Sequence, residues 1–405
     1  MADELQRRIA VLRECTTLRE AARRLQLDAT GLRSFFGSRG LNHNDYLKPK
    51  DATPDALPVD PLVRAKAKKD ESQLKREHAE LVERVRDAEA RHAILKDLEK
   101  IHVPKIQKRE KSRKASARHE ATAHLMLSDV HAGERVTYET TSGRNEYNLA
   151  ICENSMGRFF GAGRWLTDMH REGFLIRDTI LWLGGDIISG MLHDDQHETD
   201  EIHPVETIAW MKPRLVRGID SLLDDPKLER LIVPCSYGNH GRTTLKPRGS
   251  STAGKKSLEW LLYADLKREY EQRGEKRIEF VIDQSAHQFV DVYGWTNHYH
   301  HGDRVRYQGG VGGLSIPLNK RVPKWENVRP ARYHHIGHYH TFLDLGHTLV
   351  NGSIKGYDAF AYDEGFSFEQ PQQAFCLYEE QHGKCCVSPI WVRGGEWNHS
   401  FKGAA

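Results

Sequence analysis

Apolar residues in the first 45 positions recur three and four apart, the spacing of one helix face. The pattern predicts a first helix from about Asp3 to Glu14. Thr17-Leu18-Arg19-Glu20 has the form of a capping box, with Thr17 as N-cap and Glu20 reaching back. Leu18, Ala21, Ala22 and Leu25 then follow at helical spacing. Asp28 is placed to cap a third helix that turns Leu32, Phe35 and Phe36 inward and Thr30, Arg33 and Ser34 outward. Gly37 and Gly40 stop it. Pro49, Pro54, Pro58 and Pro61 mark residues 46–63 as a linker. Residues 64–102 hold neither Gly nor Pro, and Leu74, Leu81, Ala88 and Leu95 repeat every seven residues. This predicts a charged helix, either a short coiled coil or a solvated helix packing on the rest of the chain. His78 and His92 interrupt its seam. From Lys105 to Arg118 seven basic residues face one acid, a basic linker.

Beyond residue 120 the period changes. Short apolar runs predict strands at Ala123–Ser128, Thr179–Leu183, Arg230–Pro234, Glu279–Ile282, Phe289–Val292, Trp295–His300, His334–Gly337, Thr341–Leu345 and Thr348–Val350. A closing hairpin would use Ala374–Glu379 and Cys386–Val392. Helical patterns fall at Glu153–Arg171, Val205–Leu223 and Lys256–Arg273. Strands joined by helices, followed by strands alone, predict an α/β layer with a β-rich second half. The expected organisation is a small all-α domain over residues 1–45, a linker over 46–63, a charged helix and basic linker over 64–118, and a catalytic domain over 119–400.

Composition adds two facts to this picture. Residues 1–120 carry 28 Lys and Arg against 20 Asp and Glu, whereas the remainder carries 32 against 37. A basic front suits a nucleic-acid partner. The two-helix turn there resembles a helix-turn-helix, with Thr30, Arg33 and Ser34 as candidate DNA contacts, although Gln26 stands where that motif often has glycine. A protein-docking unit is the alternative. Of 23 histidines, 18 lie beyond residue 120, many beside Gly, Asp or another His, which points to metal. The six cysteines form no C-x-x-C pair, and no apolar run is long enough to span a membrane. The expected location is the cytoplasm, with no membrane partner.

Five short motifs fall, in order, at the ends of predicted strands: Ser128-Asp129-Val130-His131, Gly184-Gly185-Asp186, Gly238-Asn239-His240, His300-His301-Gly302-Asp303 and Gly337-His338-Tyr339-His340. Carboxyl ends of strands are where α/β sheets build their sites. Residues two apart on an extended segment point the same way, so Asp129 with His131, and His338 with His340, can face one centre. The ordered set D-x-H, G-D, G-N-H, H-G, G-H-x-H resembles the calcineurin-like metallophosphoesterase superfamily over about residues 120–400. The texture around Gly238-Asn239-His240-Gly241-Arg242 and Asn351-Gly352-Ser353 is most similar to phage and prophage members and the DNA-repair nuclease branch.

The resemblance implies a β-sandwich flanked by helices and a two-metal site. One ion would take Asp129, His131, Asp186 and His340; the other would take Asp186, Asn239, His301 and His338. Mixed carboxylate and imidazole ligands suit Mn²⁺ first, with Fe or Zn²⁺ as alternatives. Such a pair of ions activates water for in-line attack on phosphorus. His240 would serve the leaving oxygen as the catalytic acid. Many phosphatases of this superfamily follow G-N-H with Asp or Glu, where this chain has Gly241. His300 is a rival to His301 as ligand, and His334 and His335 are weaker ones. The run from His193 to Glu201 is read as a solvated rim loop. Two basic loops flank the motifs: one carries Arg242, Lys246 and Arg248, the other Arg304 and Arg306, with Tyr307 and Trp325 interleaved in the latter. Both suit a nucleic-acid backbone with unstacked bases. The expected function is a phosphodiesterase on nucleic acid, DNA favoured over RNA. A phosphomonoesterase acting on phosphoprotein or nucleotide is the first alternative. A non-catalytic DNA-binding regulator on a relic fold is the second, and intact ligands argue against it. Self-association through residues 64–102 or the catalytic domain is a further expectation.

Overall fold

The computed structural model describes residues 2–48, 73, 75–76, 78–83, 85–86, 103–107, 119–190, 199–244, 254–307, 313–327 and 329–394. Most of the proline-rich linker, the basic run after Gln107, the His193–His197 stretch and the candidate contacts Lys246 and Arg248 fall outside these residues. The chain divides into two compact units, residues 1–97 and 98–405.

Residues 2–48 of the first unit form three helices, α1 (Ala2–Glu14), α2 (Leu18–Arg24) and α3 (Ala29–Gly37), and a closing turn at His43–Tyr46. Ile9, Leu12, Leu18, Ala21, Ala22, Leu32, Phe36 and Tyr46 form its core. The Thr17 hydroxyl accepts from the Glu20 N–H at 3.3 Å, while the Glu20 carboxylate accepts from Thr16 N–H at 3.1 Å, one residue before the partner the capping box predicts. Asp28 caps α3 by accepting from Gly31 N–H at 2.7 Å. Gln26, at the break between α2 and α3, has φ of 52°, the left-handed backbone that glycine would supply there. Phe35 is only half-buried, held between the guanidinium groups of Arg8 and Arg39 at 3.9 and 3.8 Å. Thr30, Arg33 and Ser34 are exposed. Described residues between 73 and 86 are helical, with Leu81 and Val85 exposed.

The second unit is a sandwich of two six-stranded sheets. Its strands are β1 (Lys105–Ile106), β2 (Glu120–Leu127), β3 (Leu175–Leu183), β4 (Arg230–Pro234), β5 (Ile278–Val281), β6 (Gln288–Val292), β7 (Trp295–Tyr299), β8 (Tyr333–Ile336), β9 (Leu343–Asp344), β10 (Thr348–Val350), β11 (Gln372–Glu379) and β12 (Gly383–Trp391). The first sheet runs β12-β11-β2-β3-β4-β5, with β2 to β5 parallel and β11 antiparallel to β2. The second runs β1-β6-β7-β8-β10-β9, with β7, β8 and β10 parallel neighbours. Alternation along β2 divides the core. Ala123, Leu125 and Leu127 face the helices, whereas Met126 packs with Ile180, Trp182, Tyr299 and Tyr378 between the sheets. Helices α4 (Leu149–His170), α5 (Pro204–Leu223) and α6 (Leu258–Arg273) cover the outer face of the first sheet through Phe159, Phe160, Leu215, Ile219, Leu262 and Leu266.

Two expectations are corrected. The segment Arg304–Arg332, read as a basic loop, contains helix α7 (Ser315–Glu326), whose Leu318 and Trp325 pack on Ile336 and Val350. Pro317 and Pro323 hid it: one lies in the first turn, where proline is tolerated, the other near the helix end. Lys105–Ile106, read as part of the basic linker, is a strand paired in parallel with β6 of the second unit.

Candidate metal centre

The five motifs meet because their strands are neighbours. β2, β3 and β4 lie side by side and parallel in the first sheet, and their carboxyl ends lead to Asp129, Asp186 and Asn239. β7 and β8 are parallel neighbours in the second sheet and lead to His301 and His338. Three overlapping groups result: Asp129, His131 and His340; His131, Asp186 and His240; and Asp186, His301 and His338, each with ligand atoms within 4.8 Å of one another. Asp186 and His131 each belong to two of them. Asn239 joins through its Oδ1, 3.2 Å from His301 Nε2.

Backbone strain concentrates here. Asp129, His131, Asp186, His338 and His340 have φ of 53°, 49°, 49°, 73° and 53°. Left-handed backbone is uncommon outside glycine and collects at sites where the surroundings over-determine it. The determinants are visible. Asp129 accepts from His338 N–H at 2.9 Å and from the Ser128 hydroxyl, and its carbonyl accepts from the Ser353 hydroxyl at 2.9 Å. Asp186 Oδ1 accepts from His240 N–H at 2.8 Å. A Cβ at Gly238 would lie 2.0 Å from that oxygen, so only glycine allows this approach.

Tautomers follow from the partners. His301 Nδ1 lies 2.8 Å from the Gly184 carbonyl and so donates, which leaves Nε2 toward Asp186 Oδ2 at 2.9 Å. His131 Nδ1 lies 3.5 Å from the Glu134 carboxylate. Its Nε2 faces His340 Nε2 at 3.1 Å. Burial holds His131 well below its ordinary pKa and brings both His338 and His340 down to about 3, so these rings stay neutral. Burial likewise lifts the Asp129 carboxyl to about 7. Burial opposes charge on His301, but the Asp186 carboxylate raises its pKa well above the usual value. Facing neutral nitrogen acceptors beside two buried carboxylates form a donor set that fits divalent cations with mixed N and O preference.

His240 lies within reach of the same centre, its ring 4.5 Å from that of His131. Its Nδ1 is 2.7 Å from the Ser189 carbonyl, which orients the ring by a donated hydrogen bond. Gly241 has a steric reason. A Cβ there would lie 2.8 Å from Cγ of Glu259, a fully buried side chain on α6. Glu259 accepts from Ile187 N–H at 2.6 Å and Gly238 N–H at 2.7 Å, so one carboxylate ties the Asp186 loop to the Asn239 loop. Sequence reading missed it, because nothing in its local pattern separates it from a solvent-facing helix acid. It also missed the buried Lys355, whose Nζ holds Glu134 at 3.0 Å and Asp358 at 2.5 Å behind His131. The three-residue spacing from His131 to Glu134 was the available signal.

Of the other candidates, His300 is turned away, its Nδ1 accepting from Gly302 N–H at 2.9 Å. His334 packs against His298 and Trp325, and His335 meets the Tyr378 hydroxyl at 2.7 Å between the sheets. Neither joins the cluster. Arg242 donates to the Asn239 carbonyl at 3.1 Å and the Thr244 carbonyl at 3.0 Å, bracing the Asn239 loop. Arg304 pairs with Asp303 at 3.2 Å, and Arg306 is exposed. No helix of the described residues is long and apolar enough to cross a membrane.

No family model matches this chain, and no curated protein does. Solved structures do match. A Streptococcus pneumoniae protein described as a predicted phosphoesterase is 10% identical over 68% of this chain and 98% of its own, with a TM-score of 0.26. Vps29 from Entamoeba histolytica, complexed with zinc, is 13% identical over 66% of this chain and 99% of its own, with a TM-score of 0.27. The calcineurin-like phosphoesterase YfkN from Bacillus subtilis is 9% identical over 67% of this chain and 91% of its own, with a TM-score of 0.25. Likenesses this remote carry no functional argument, which rests instead on the side chains gathered at the strand ends.

Proposed function

We propose that the chain is a metal-dependent phosphoesterase of the calcineurin-like kind that hydrolyses phosphodiester bonds in nucleic acid, DNA before RNA. The observation that carries the reading is the convergence of Asp129, His131, Asp186, His301, His338 and His340 on one centre, with Asn239 beside it. Asp129, His131, Asp186 and His340 would hold one cation, and Asp186, Asn239, His301 and His338 the other. Two bound cations, Mn²⁺ in first place, would supply Lewis acidity toward the phosphate and activate water for attack. The chain's own part is orientation and proton transfer. Asp186 is fixed by His240 N–H, and the Glu134 carboxylate stands 3.5 Å from His131 Nδ1. His240, with Nδ1 engaged by Ser189, presents Nε2 to protonate the leaving oxygen. The deciding experiment is cleavage of an oligonucleotide with Mn²⁺, Mg²⁺ or chelator, beside turnover of bis-p-nitrophenyl phosphate and p-nitrophenyl phosphate. Cleavage that survives the chelator, or turnover of the monoester alone, refutes the reading.

The first unit is proposed as a duplex-DNA contact through Thr30, Arg33 and Ser34. The left-handed Gln26 and the exposure of all three residues support it. Arg33→Ala should weaken duplex binding and lower the salt-dependence slope by about 0.9, the share of a single neutralised phosphate. An unchanged slope makes this a protein-docking unit instead. The reading puts the protein in the cytoplasm, its six cysteines as free thiols.

A further inference from the structure

The catalytic unit carries a second feature beside the metal loops that the chemistry above does not use. Past His301 the chain runs through Asp303 to Tyr307 against helix α7. Arg304, Arg306, Lys320, Arg321 and Lys324 line one cavity there, of about 150 Å³. Asp303 pairs with Arg304, but among the described residues Arg306, Lys320 and Lys324 have no acidic partner. The Arg321 Nε is buried without a hydrogen-bond acceptor. Lys320 and Lys324, four apart on one helix face, repel each other, and an anion in the cavity relieves that cost.

An aromatic surface adjoins the cavity. Tyr307, which follows Arg306, is 50% exposed, and its ring meets Phe366 at 5.8 Å. Phe366, 41% exposed, meets Phe360 at 6.0 Å, and Phe360 is 66% exposed. Contiguous rings left in water mark a binding surface. Both arms are rooted in the metal loops. The Tyr339 hydroxyl, between His338 and His340, donates to the Val305 carbonyl at the cavity wall. On the other side Asp358 caps the helix that carries Phe360 and also pairs with Lys355 behind His131. Arg304 lies three positions beyond His301, a reach of at most roughly 11 Å.

We propose that the cationic cavity and the ring cluster form one track for an unpaired nucleic-acid strand, phosphates in the cavity and bases stacked on Tyr307, Phe360 and Phe366. Base faces are open to such rings only when a strand is unpaired, and cationic grooves lined with aromatic platforms are the physical means of holding one. The inference rests on the phosphodiesterase reading and names its substrate form: a single strand, an overhang or a flap rather than a blunt duplex.

The test is fluorescence anisotropy with the full chain in chelator, using oligo-dT, oligo-rU of equal length and a blunt duplex across a salt series. Both single strands should bind, with the tighter of the two identifying the sugar, and the blunt duplex, which the first unit is proposed to hold, is the control that the variants below should leave unchanged. Phe360→Leu and Phe366→Leu keep apolar bulk but remove the ring, and each should weaken single-strand binding roughly 10-fold. Lys320→Gln with Lys324→Gln should lower the salt slope by about 1.4. Melting curves establish that each variant is folded. Wild-type single-strand affinity in all of these variants, or an equal loss of duplex binding in them, overturns the proposal. Turnover of bis-p-nitrophenyl phosphate by the wild-type chain tests the phosphodiesterase reading separately: its absence beside intact strand binding sinks that reading and not the track.

Discussion

Glu259 is the buried acid on which the two-loop geometry turns, and removing it has calculable consequences. Its carboxylate is fully buried and accepts from Ile187 N–H and Gly238 N–H. Burial and then the Asp186 charge push its carboxyl up to about 8, against the pull of those two donors. Glu259→Ala leaves both N–H groups buried without an acceptor. At about 1–3 kcal/mol for each, the loss is roughly 2–6 kcal/mol. Glu259→Gln keeps one acceptor oxygen and turns an amide N–H toward the other donor, so about half that loss follows. For a unit of this size the alanine variant should melt roughly 4–15 °C lower. Because the carboxylate aligns loops carrying Asp186 and Asn239, metal affinity should also fall about 10- to 100-fold. Gly241 supplies an internal control. A Cβ there collides with Glu259 Cγ, so Gly241→Ala should destabilise the wild-type chain yet cost little in the Glu259→Ala background. Thermal melting and isothermal titration with Mn²⁺ read both effects. An alanine variant with unchanged melting point and metal affinity, or strictly additive losses in the double mutant, refutes the argument.

Asp186→Ala should lower metal occupancy at both positions together, since Asp186 alone is proposed to serve both cations; two full equivalents by elemental analysis would exclude a bridging role. His240→Ala should keep its metal while turnover falls about 10²- to 10⁴-fold, with partial recovery on aryl esters whose leaving groups need no proton; metal loss instead would make His240 a ligand. Acid should unfold the second unit through its buried histidines. Burial holds His124 down at about 3 and His287 at about 4, whereas an unfolded histidine titrates near 6.5. The unfolded chain therefore takes up protons that the folded chain refuses. Stability is complete above about pH 6.5 and falls below it by up to about 1.4 kcal/mol per pH unit for each such ring. His124→Phe should flatten that slope in denaturant titrations between pH 7.5 and 5, and a slope as steep as wild type would refute the assignment.

Which parts of this structure were legible in the sequence follows from where the determining interactions lie. β4 and β10 match the expected Arg230–Pro234 and Thr348–Val350, because each is a short apolar run with a sharp polar boundary. α5 and α6 fall on the helical patterns expected at Val205–Leu223 and Lys256–Arg273. Helix α7 was not, since Pro317 and Pro323 within a cationic stretch give the local signature of a loop. Only the packing of Leu318 and Trp325 on the second sheet makes the segment helical. The same packing removes Trp325 from the surface, so the aromatic partner of the basic segment is not the one its interleaving suggested. Phe360 and Phe366 take that place from a segment some fifty residues away, a juxtaposition no local pattern encodes.

At the metal centre the division is different. Residue type announced the candidate ligands, but not the backbone that aims them. Five of them sit at positive φ, each at a cost of order 1–3 kcal/mol for an ordinary residue. Asp, Asn and His enter the left-handed region several times more readily than other non-glycine residues. The letters that can coordinate a cation are thus also the letters that can stand in these turns, and one choice meets both demands. What holds the turns is non-local: Ser353 on the Asp129 carbonyl, Glu259 across two loops, and Lys355 with Glu134 behind His131. Each acts from a distant part of the chain on a backbone group or on a second side chain, never on the centre itself. Such residues carry no motif, because their task is defined by a position in space that any suitably sized polar group could fill. Substitutions at Ser353, Glu259 or Lys355 should therefore alter metal affinity without removing a ligand, which separates the support of the site from its chemistry.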